Sequence, residues 1–443
     1  MVQRTKVGAV LVVGGGVGGM RAAIDLAEAG MKVYLVESSP SLGGIVAQLG
    51  FMFPTHDCVL CRGTAEHGYG CTRPSITPML LDYSRNPNIE VMTLSEVTEV
   101  VGQPGDFTVT IRHKPRYVDT KLCINCGECS RVCPVELPDA FQAGLTTHKA
   151  AYKVAVRAVP DAYVIEKGLY CLDCRKCVSV CPTAAIDLEE QEWFEQLHVG
   201  AIILTVGFKV YDPSGELELG YKRFPNVLTS LEYERLASRS GPTEGIVLRP
   251  SDNTPPQRIA WLQCVGSREP EHPYCSSICC MYAAKEAMLA KQRLPGVDCT
   301  IFVMDERAFS KEYSAYFKRA TEEFDVHFVR CRVSAIKEDP QTHDLIVHYQ
   351  DGDGELRDER FDMVVLSPPG IIRAETSSNC SRFLTQTASP FTSNFLNVFS
   401  SMDMCSLTAP WTPTTPTFID PFPQGGLRAS LLQDPSWVRR GPY

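Results

Sequence analysis

The chain has 443 residues, a hydrophobic fraction of 44% and a formal net charge of −9. This length predicts two or three domains, and the acidic balance argues against a nucleic-acid-binding surface. No run of 18 or more apolar residues occurs, so no transmembrane helix is expected. The first residues have no signal-peptide pattern, and 19 cysteines without such a leader favour metal ligands over disulfides. We therefore expect a cytoplasmic, oxygen-sensitive protein without membrane or nucleic-acid partners.

The chain begins with a strand, a glycine-rich loop, a helix and a second strand. An apolar run at residues 7–13 precedes GGGVGG at 14–19, and a helix-forming stretch follows at 20–29. The next apolar run, 31–36, ends at the acidic residue Glu37. This order of elements is the context that a G-x-G-x-x-G motif needs, and it predicts a dinucleotide site.

Each residue of this motif has a physical task. Gly14 allows the tight turn, Gly16 lets the backbone approach a pyrophosphate, and Gly19 lets the helix pack on the strand. Glu37 can accept hydrogen bonds from an adenosine ribose. Gly18 completes the predicted loop.

Two later segments resemble the FAD domains of the glutathione-reductase type. Gly43 and Gly44 follow Glu37 closely in the sequence ESSPSLGG, which is similar to the second phosphate-side segment of those domains. The apolar run from residue 198 ends at Gly207 and Phe208 and resembles their closing strand. The resemblance implies FAD rather than NAD.

Two copies of one cysteine motif lie in the middle of the chain. The spacing C-x2-C-x2-C-x3-C-P begins at Cys123 and again at Cys171. Bacterial-type ferredoxins use this spacing to hold two 4Fe–4S clusters, and the fourth cysteine of each run binds the other run's cluster. Zinc also binds C-x2-C pairs, but two runs of four fit zinc poorly. The predicted ligand sets are Cys123, Cys126, Cys129 and Cys181 for one cluster and Cys171, Cys174, Cys177 and Cys133 for the other.

The ferredoxin segment is expected to be an insertion in the flavin domain. Residues 107–112 alternate like a strand of the small meander of such domains, and the closing strand returns only at about Ala201. Residues 115–190 then lie between two parts of one scaffold, which would hold the clusters at a fixed distance from it. Within the insert, residues 145–160 are predicted as a helix.

A second nucleotide-type domain is expected further along the chain. Residues 258–265 and 299–304 have the pattern of buried strands, and 281–292 that of a helix between them. Only Gly266 lies near the end of the first strand. Without a glycine-rich loop a pyrophosphate has no cradle of backbone N–H groups, so we expect a Rossmann shape that has lost NAD(P)H. Four cysteines at this point either bind a third cluster or are core residues: Cys264, Cys275, Cys279 and Cys280.

Together these features resemble the heterodisulfide reductase A family, over about residues 7–367. The resemblance implies an α/β protein of thioredoxin-reductase-like fold, with two dinucleotide-binding-type domains, FAD and an inserted two-cluster ferredoxin. It implies a third cluster on Cys264, Cys275, Cys279 and Cys280. It also places Lys285 near N5 of the flavin, where a cation would stabilise an anionic reduced flavin. The alternative is that Lys285 is a surface lysine of its helix.

A further cysteine pair resembles a segment of the same family. Cys58 and Cys61 form a C-x2-C pair, and Cys71 follows. With a fourth ligand such as His56 they would bind another cluster. Alternatively, they are free thiols on a flavin-side loop.

The expected domain boundaries follow from these motifs. The FAD-binding domain takes residues 1–114 and 191–250, the ferredoxin 115–190 and the second Rossmann-like domain 251–367. Residues 368–443 are rich in Pro, Ser and Thr, contain no lysine and lack the last glycine-rich FAD segment of the family. We interpret this tail as disordered or as the product of a truncated or shifted reading frame.

The resemblance implies an oxidoreductase, the electron-transfer component of a heterodisulfide-reductase-like complex, with flavin-based electron bifurcation as one mode. The implied partners are B- and C-like subunits, a hydrogenase or formate-dehydrogenase-type donor, ferredoxin and a second copy of the chain. Two alternatives remain open. One is a stand-alone NAD(P)H-dependent FAD and iron–sulfur oxidoreductase, against which the missing second glycine loop argues. The other is a non-functional truncated scaffold.

Overall fold

The computed structural model describes residues 8–59, 86–155, 157–171, 174–308 and 313–371. The predictions for Cys61, Cys71 and the tail beyond residue 371 lie outside the described residues. The strands are β1 Ala9–Val13, β2 Lys32–Val36, β3 Ile89–Met92, β4 Ser95–Gln103, β5 Asp106–His113, β6 Glu136–Pro138, β7 Thr147–Lys149, β8 Ala151–Tyr152, β9 Val164–Ile165, β10 Trp193–Val199, β11 Ala201–Leu204, β12 Lys209–Val210, β13 Val227–Thr229, β14 Arg258–Leu262, β15 Asp298–Val303, β16 His327–Arg330, β17 Arg332–Glu338, β18 Leu345–Gln350, β19 Leu356–Phe361, β20 Met363–Leu366 and β21 Gly370–Ile371. The helices are α1 Val17–Glu28, α2 Glu128–Val132, α3 Lys176–Val180, α4 Ser230–Ala237, α5 Cys279–Arg293 and α6 Tyr313–Glu322.

The first nucleotide-type unit has a parallel sheet in the order β11-β1-β2-β3. Helix α1 connects β1 to β2 and buries Met20 and Ala23 against Val10 and Val33 of the sheet. A three-stranded antiparallel sheet, β10-β5-β4, completes the unit. The predicted strand, glycine loop, helix and strand are therefore present in that order.

The second unit repeats this plan. Its parallel sheet has the order β13-β20-β14-β15-β16, and β17-β18-β19 form the antiparallel partner. In both units the strand that follows the meander lies beside the first strand, as β11 lies beside β1 and β20 beside β14. The predicted Rossmann shape of this part of the chain is confirmed.

Two predicted boundaries are wrong. Strand β13 pairs with β20, with Thr229 opposite Leu366, so the second unit begins well before residue 251. Residues 368–371 were assigned to the irregular tail, but Gly370–Ile371 pairs with Lys209–Val210. Strands of two or three residues have too little periodicity to be recognised from sequence, and long-range pairing stabilises them here.

The ferredoxin segment is inserted at the tip of a β-hairpin. Strands β5 and β10 pair directly, with His113 opposite Trp193, and the rings of these two residues stack with centroids 3.9 Å apart. The matching hairpin of the second unit, β18–β19, closes in a tight turn in which the Gly354 N–H donates to Asp351 O at 3.1 Å. An insertion at such a point leaves both sheets intact.

Inside the insert the predicted helix at 145–160 is wrong. Strand β7 pairs with β6, and β8 pairs with β9. The buried side chains of Val118, Ala151, Ile165 and Ile186 form the core of the insert beside the cysteines. These long-range pairings override the local helix propensity.

Candidate functional site: a nucleotide loop and three cysteine groups

The glycine loop is shaped by its contacts with the closing strand. Gly14 has φ +107°, and a Cβ there would lie 2.1 Å from Thr205 O. A Cβ on Gly19 would lie 1.9 Å from Gly14 O, while one on Gly18 would meet only Thr205 Cγ2 at 3.9 Å. A Cβ on Gly16 would meet nothing within 4 Å. The open space therefore lies at Gly16, directly before the N-terminus of α1, where a phosphate would be stabilised by free N–H groups.

The buried carboxylate of Glu37 holds this loop. Its Oε2 accepts the Gly15 N–H at 2.6 Å, and its Oε1 accepts the Ser39 N–H at 2.7 Å. The sequence pattern indicated a ribose contact for Glu37 and missed this bond across the loop. The remaining acceptor capacity of a carboxylate is compatible with both tasks.

The second glycine pair lies directly beside the loop. Gly43 forms a backbone bridge with Gly16, and its N–H donates to Gly15 O at 2.8 Å. Gly44 has φ +57°, and a Cβ there would lie 3.0 Å from Gly16 Cα. The structure therefore brings Gly14, Gly16, Gly43 and Gly44 together at the carboxyl ends of β1 and β2.

Gly207 and Phe208 follow β11 at the same edge of the sheet. Gly207 has φ +63° with open space at its Cβ position. Phe208 has its ring against Gly370 of β21, because a Cβ on Gly370 would lie 2.4 Å from Phe208 Cδ2. Phe208 thus packs against the strand that follows the second unit.

The two ferredoxin runs contribute to each other's cysteine groups. Cys129 is close to Cys123 and Cys126, and burial raises its pKa to about 11. Cys177 is close to Cys171 and to Cys133 of the first run. One cavity is lined by Cys133, Cys171, Cys174 and Cys177. Cys181 follows α3, and its Sγ accepts the Ala185 N–H at 3.3 Å.

These groups do not resemble the site of a single ion. In the described ranges, no three Cys, His, Asp or Glu side chains converge as the ligands of one metal ion. A tetrahedral zinc ion would require sulfurs at about 2.3 Å from one centre. A cube binds its thiolates at separate corners and so spaces them more widely.

The third cysteine group occupies the place that the phosphate loop has in the first unit. Residues 14–16 connect β1 to α1, whereas residues 263–278 connect β14 to α5. Cys264 hydrogen-bonds to Cys279, and Cys280 lies close to Cys264 and Cys275. Gly266 packs against the Tyr211 ring, which a Cβ would approach to 2.3 Å. The second unit therefore has four clustered cysteines and no glycine cradle at this point.

Lys285 is buried, so a surface position is wrong. Its ammonium group pairs with Glu234 Oε1 at 2.6 Å and donates to Phe51 O at 2.9 Å. Glu234 Oε2 accepts the Gly50 N–H at 2.8 Å. Helix α5 of the second unit thus directs a cation to the loop that follows the Gly43–Gly44 pair.

A second buried carboxyl group adjoins this ion pair. Glu286 accepts bonds from the Ser230 hydroxyl and the Trp261 indole N–H, both at 2.9 Å. Burial, and then the negative charge of Glu234, raise the pKa of Glu286 well above its ordinary value. Sequence reasoning missed Glu234 and Glu286, because a glutamate in a helix is usually exposed and neither belongs to a motif.

The segment at Cys58 contacts the second unit. His56 Nε2 lies 2.6 Å from the Tyr316 hydroxyl, and burial lowers the pKa of His56. Cys58 is partly buried and forms a bridge with Phe51. Since Cys61 and Cys71 are outside the described residues, both interpretations of this cysteine pair remain open.

The class of protein follows from these features and from two family models. A model described as FAD dependent oxidoreductase matches residues 9–66, and one described as 4Fe-4S dicluster domain matches residues 116–182. The chain is a thioredoxin-reductase-like flavoprotein of the FAD-dependent oxidoreductase class, with an inserted dicluster ferredoxin. No helix in the described parts of the chain has both the length and the apolar character needed to cross a bilayer.

Curated relatives narrow this class to one family. The chain is 43% identical over 383 residues to an iron-sulfur A-type subunit, numbered 2, of the CoB–CoM heterodisulfide reductase of Methanopyrus kandleri, covering 86% of this chain and 56% of that protein. It is 42% identical over 361 residues to the A-type subunit of H2:CoB-CoM heterodisulfide,ferredoxin reductase of Methanothermobacter marburgensis, covering 80% and 52%. The chain belongs to the heterodisulfide reductase A family, and it spans about half the length of these relatives. Among solved structures, thioredoxin reductase of Lactococcus lactis has a TM-score of 0.41 at 14% identity, covering 84% of this chain and 80% of that one.

Proposed function

We propose that the chain is the flavin- and cluster-bearing electron-transfer component of a heterodisulfide-reductase-like complex. When bound, FAD would accept an electron pair and the clusters would carry single electrons. The observation that carries this proposal is the firm attachment of the ferredoxin insert to the nucleotide loop. The Leu42 N–H donates to Val159 O of the insert at 3.0 Å, next to Gly43.

Further bonds hold the same attachment. The Val159 N–H donates to Ser41 Oγ at 2.9 Å, and the Gln48 amide donates to Ala140 O at 3.0 Å. The buried Arg116 of the insert donates to Thr93 Oγ1 at 2.8 Å and also to Pro40 O. A cysteine group tied to the flavin-side loop at several points keeps a constant separation from it, which favours transfer within one chain.

The open space at Gly16 supports FAD as the nucleotide. It lies at the N-terminus of α1, which has no side-chain cap, so free N–H groups and the helix dipole meet a pyrophosphate there. Gly43, Gly44, Gly207 and Phe208 are proposed as further cofactor neighbours at the same sheet edge. Lys285 is proposed to face the flavin from the second unit, since its ammonium group already reaches Phe51 O.

Three clusters are proposed. Cys123, Cys126, Cys129 and Cys181 would hold the first, and Cys171, Cys174, Cys177 and Cys133 the second. The cavity that Cys133 shares with the second run supports this exchange. The group of Cys264, Cys275, Cys279 and Cys280 would hold the third, because clustered thiols at a helix N-terminus suit iron–sulfur ligation.

The partners are proposed from the names of the relatives. The Methanothermobacter marburgensis protein is named as part of an H2:CoB-CoM heterodisulfide,ferredoxin reductase, and that of Methanosarcina mazei as part of a ferredoxin:CoB-CoM heterodisulfide reductase. By this analogy, the chain would exchange electrons with a donor enzyme, ferredoxin and a disulfide-reducing partner. The stand-alone NAD(P)H alternative is disfavoured by the loop at 263–278, which offers cysteines where a glycine cradle would be needed.

The first test is the content of iron and flavin in the anaerobically purified chain. We expect about 12 iron atoms and one FAD per chain, since each cluster holds four irons. A content of about 16 would add a cluster at the Cys58 region, and about 8 would refute the third cluster. Iron without flavin, or rapid bleaching of the flavin by NADH, would contradict the proposed function.

A further inference from the structure

Each sulfur of the third cysteine group accepts a hydrogen bond from its own donor. The Ser277 N–H donates to Cys275 Sγ at 3.4 Å, and the backbone of Arg307 donates to Cys280. The Ser276 hydroxyl bonds to Cys279, and the Arg268 guanidinium bonds to Cys264. Such outer donors orient ligands and tune the metal group that they hold.

One of these donors brings a full positive charge to a sulfur. Arg268 makes an ion pair with Asp305, directly after β15, through Nη1 and Oδ1. The other oxygen of Asp305 accepts Arg307 Nε at 2.6 Å. The backbone N–H of Arg268 donates to Tyr274 O at 3.1 Å. The guanidinium on Cys264 is therefore fixed at both ends, and the triplet of two arginines and one aspartate carries one net positive charge.

The site is dry on one side and open on the other. Cys279 is 1% exposed in the core of the second unit. On the other side, a cavity of about 480 Å³ is lined by Arg268, Glu269, Pro270, Pro273, Cys275 and Arg307. A charge between a dry core and such an opening is only partly screened, so it acts strongly on a group bound at Cys264.

We propose that Arg268 raises the reduction potential of a cluster bound by Cys264, Cys275, Cys279 and Cys280, and that Asp305 positions it. The inference rests on the proposed third cluster. Reduction adds one negative charge to a cluster, and a fixed guanidinium on a ligand sulfur stabilises that charged state. The cluster at the edge of the second unit would thus accept electrons more readily than its thiolate ligands alone would allow.

The test compares three variants of the full chain, purified anaerobically. Arg268→Gln removes the charge and keeps a polar side chain, while Arg268→Lys keeps the charge. Arg332→Gln is the matched control, because Arg332 pairs with Glu269 at 3.0 Å and its side chain is 66% exposed. Each protein is titrated electrochemically while the reduced clusters are followed by electron paramagnetic resonance.

For Arg268→Gln we expect the ratio of reduced to oxidised third cluster at a given potential to fall by about tenfold, a shift of about 59 mV for one electron. The two ferredoxin clusters should titrate as before, and Arg268→Lys should recover most of the shift. Arg332→Gln should leave all three clusters unchanged.

Two kinds of result overturn the inference, and they are distinguishable. Iron near 8 atoms in the unaltered chain would refute the third cluster and this inference with it. Full iron in Arg268→Gln with an unchanged third potential would refute the inference alone. An equal shift in Arg332→Gln or Arg268→Lys would also do so, since the effect would then not come from a charge on Cys264.

Discussion

The Lys285–Glu234 ion pair makes a sharp prediction about the joint between the two nucleotide-type units. Lys285→Met removes an ammonium group and keeps most of the side-chain volume. Glu234 then keeps only the Gly50 N–H as a partner, and both side chains of the pair are 2% exposed. Removing one partner of a buried pair typically costs about 3–5 kcal/mol, because the other charge stays buried without compensation.

A second substitution should recover part of this loss. In Lys285→Met/Glu234→Gln no charge is buried, and the amide oxygen can still accept the Gly50 N–H. Phe51 O remains without the ammonium donor, at a cost of about 1–3 kcal/mol. The double variant should therefore be more stable than the single variant by roughly 2 kcal/mol.

Hydrogen exchange followed by mass spectrometry measures this at the joint itself. The free energy of local opening is well defined there, whereas a chain of several domains with cofactors does not unfold in two states. Since 1.4 kcal/mol corresponds to a factor of ten, protection of residues 45–53 and 230–238 should fall by about two to three decades in Lys285→Met.

A control on the same helix separates this effect from a general loss of charge. Lys291 pairs with Asp325 at 3.7 Å, and the Asp325 side chain is 81% exposed. Lys291→Met should cost less than about 1 kcal/mol, because the abandoned carboxylate stays in water. Equal loss of protection in the two single variants, or a double variant less stable than Lys285→Met, would refute the reasoning.

Three further predictions concern the nucleotide loop, the buried acid and the ferredoxin exchange. Gly16→Ala should keep the fold and lower the flavin content per chain, whereas Gly19→Ala should destabilise the fold by about 1–3 kcal/mol, since its methyl group would lie 1.9 Å from Gly14 O; flavin analysis and thermal unfolding distinguish the two. Glu286 has a raised pKa in the fold, so stability should be highest below the ordinary pKa of glutamate and fall as pH rises towards the raised one. Glu286→Gln should remove that slope from urea midpoints measured across pH. Cys133→Ser should remove the cluster of the second run, leaving about 8 iron atoms per chain and the resonance signal of the first-run cluster.

Each of these has a contrary result. Normal flavin content in Gly16→Ala would place the pyrophosphate elsewhere. The same pH slope in Glu286→Gln would assign it to another group. Loss of the first-run signal in Cys133→Ser would mean that each run binds its own cluster.

The local chemistry of this chain was predictable from its sequence. The glycine loop, the two cysteine runs and the strands and helix around Cys264 depend on short stretches of backbone, and spacing alone indicates them. The insertion was also predictable, because the closing strand returns only after the second cysteine run. The roles of the individual site residues stay predictions.

The tertiary structure alone decided which distant residues meet. Lys285 reaches Phe51, Glu234 joins them, and Arg268 meets Asp305, although none of these pairs belongs to a local motif. The strands β13 and β21 and the hairpins at residues 145–160 exist only because long-range partners complete their hydrogen bonds. Spacing along the chain determines which groups can act together locally, but the order of strands in the two sheets determines which loops are neighbours. The buried charges at the joint and beside Cys264 follow from that order.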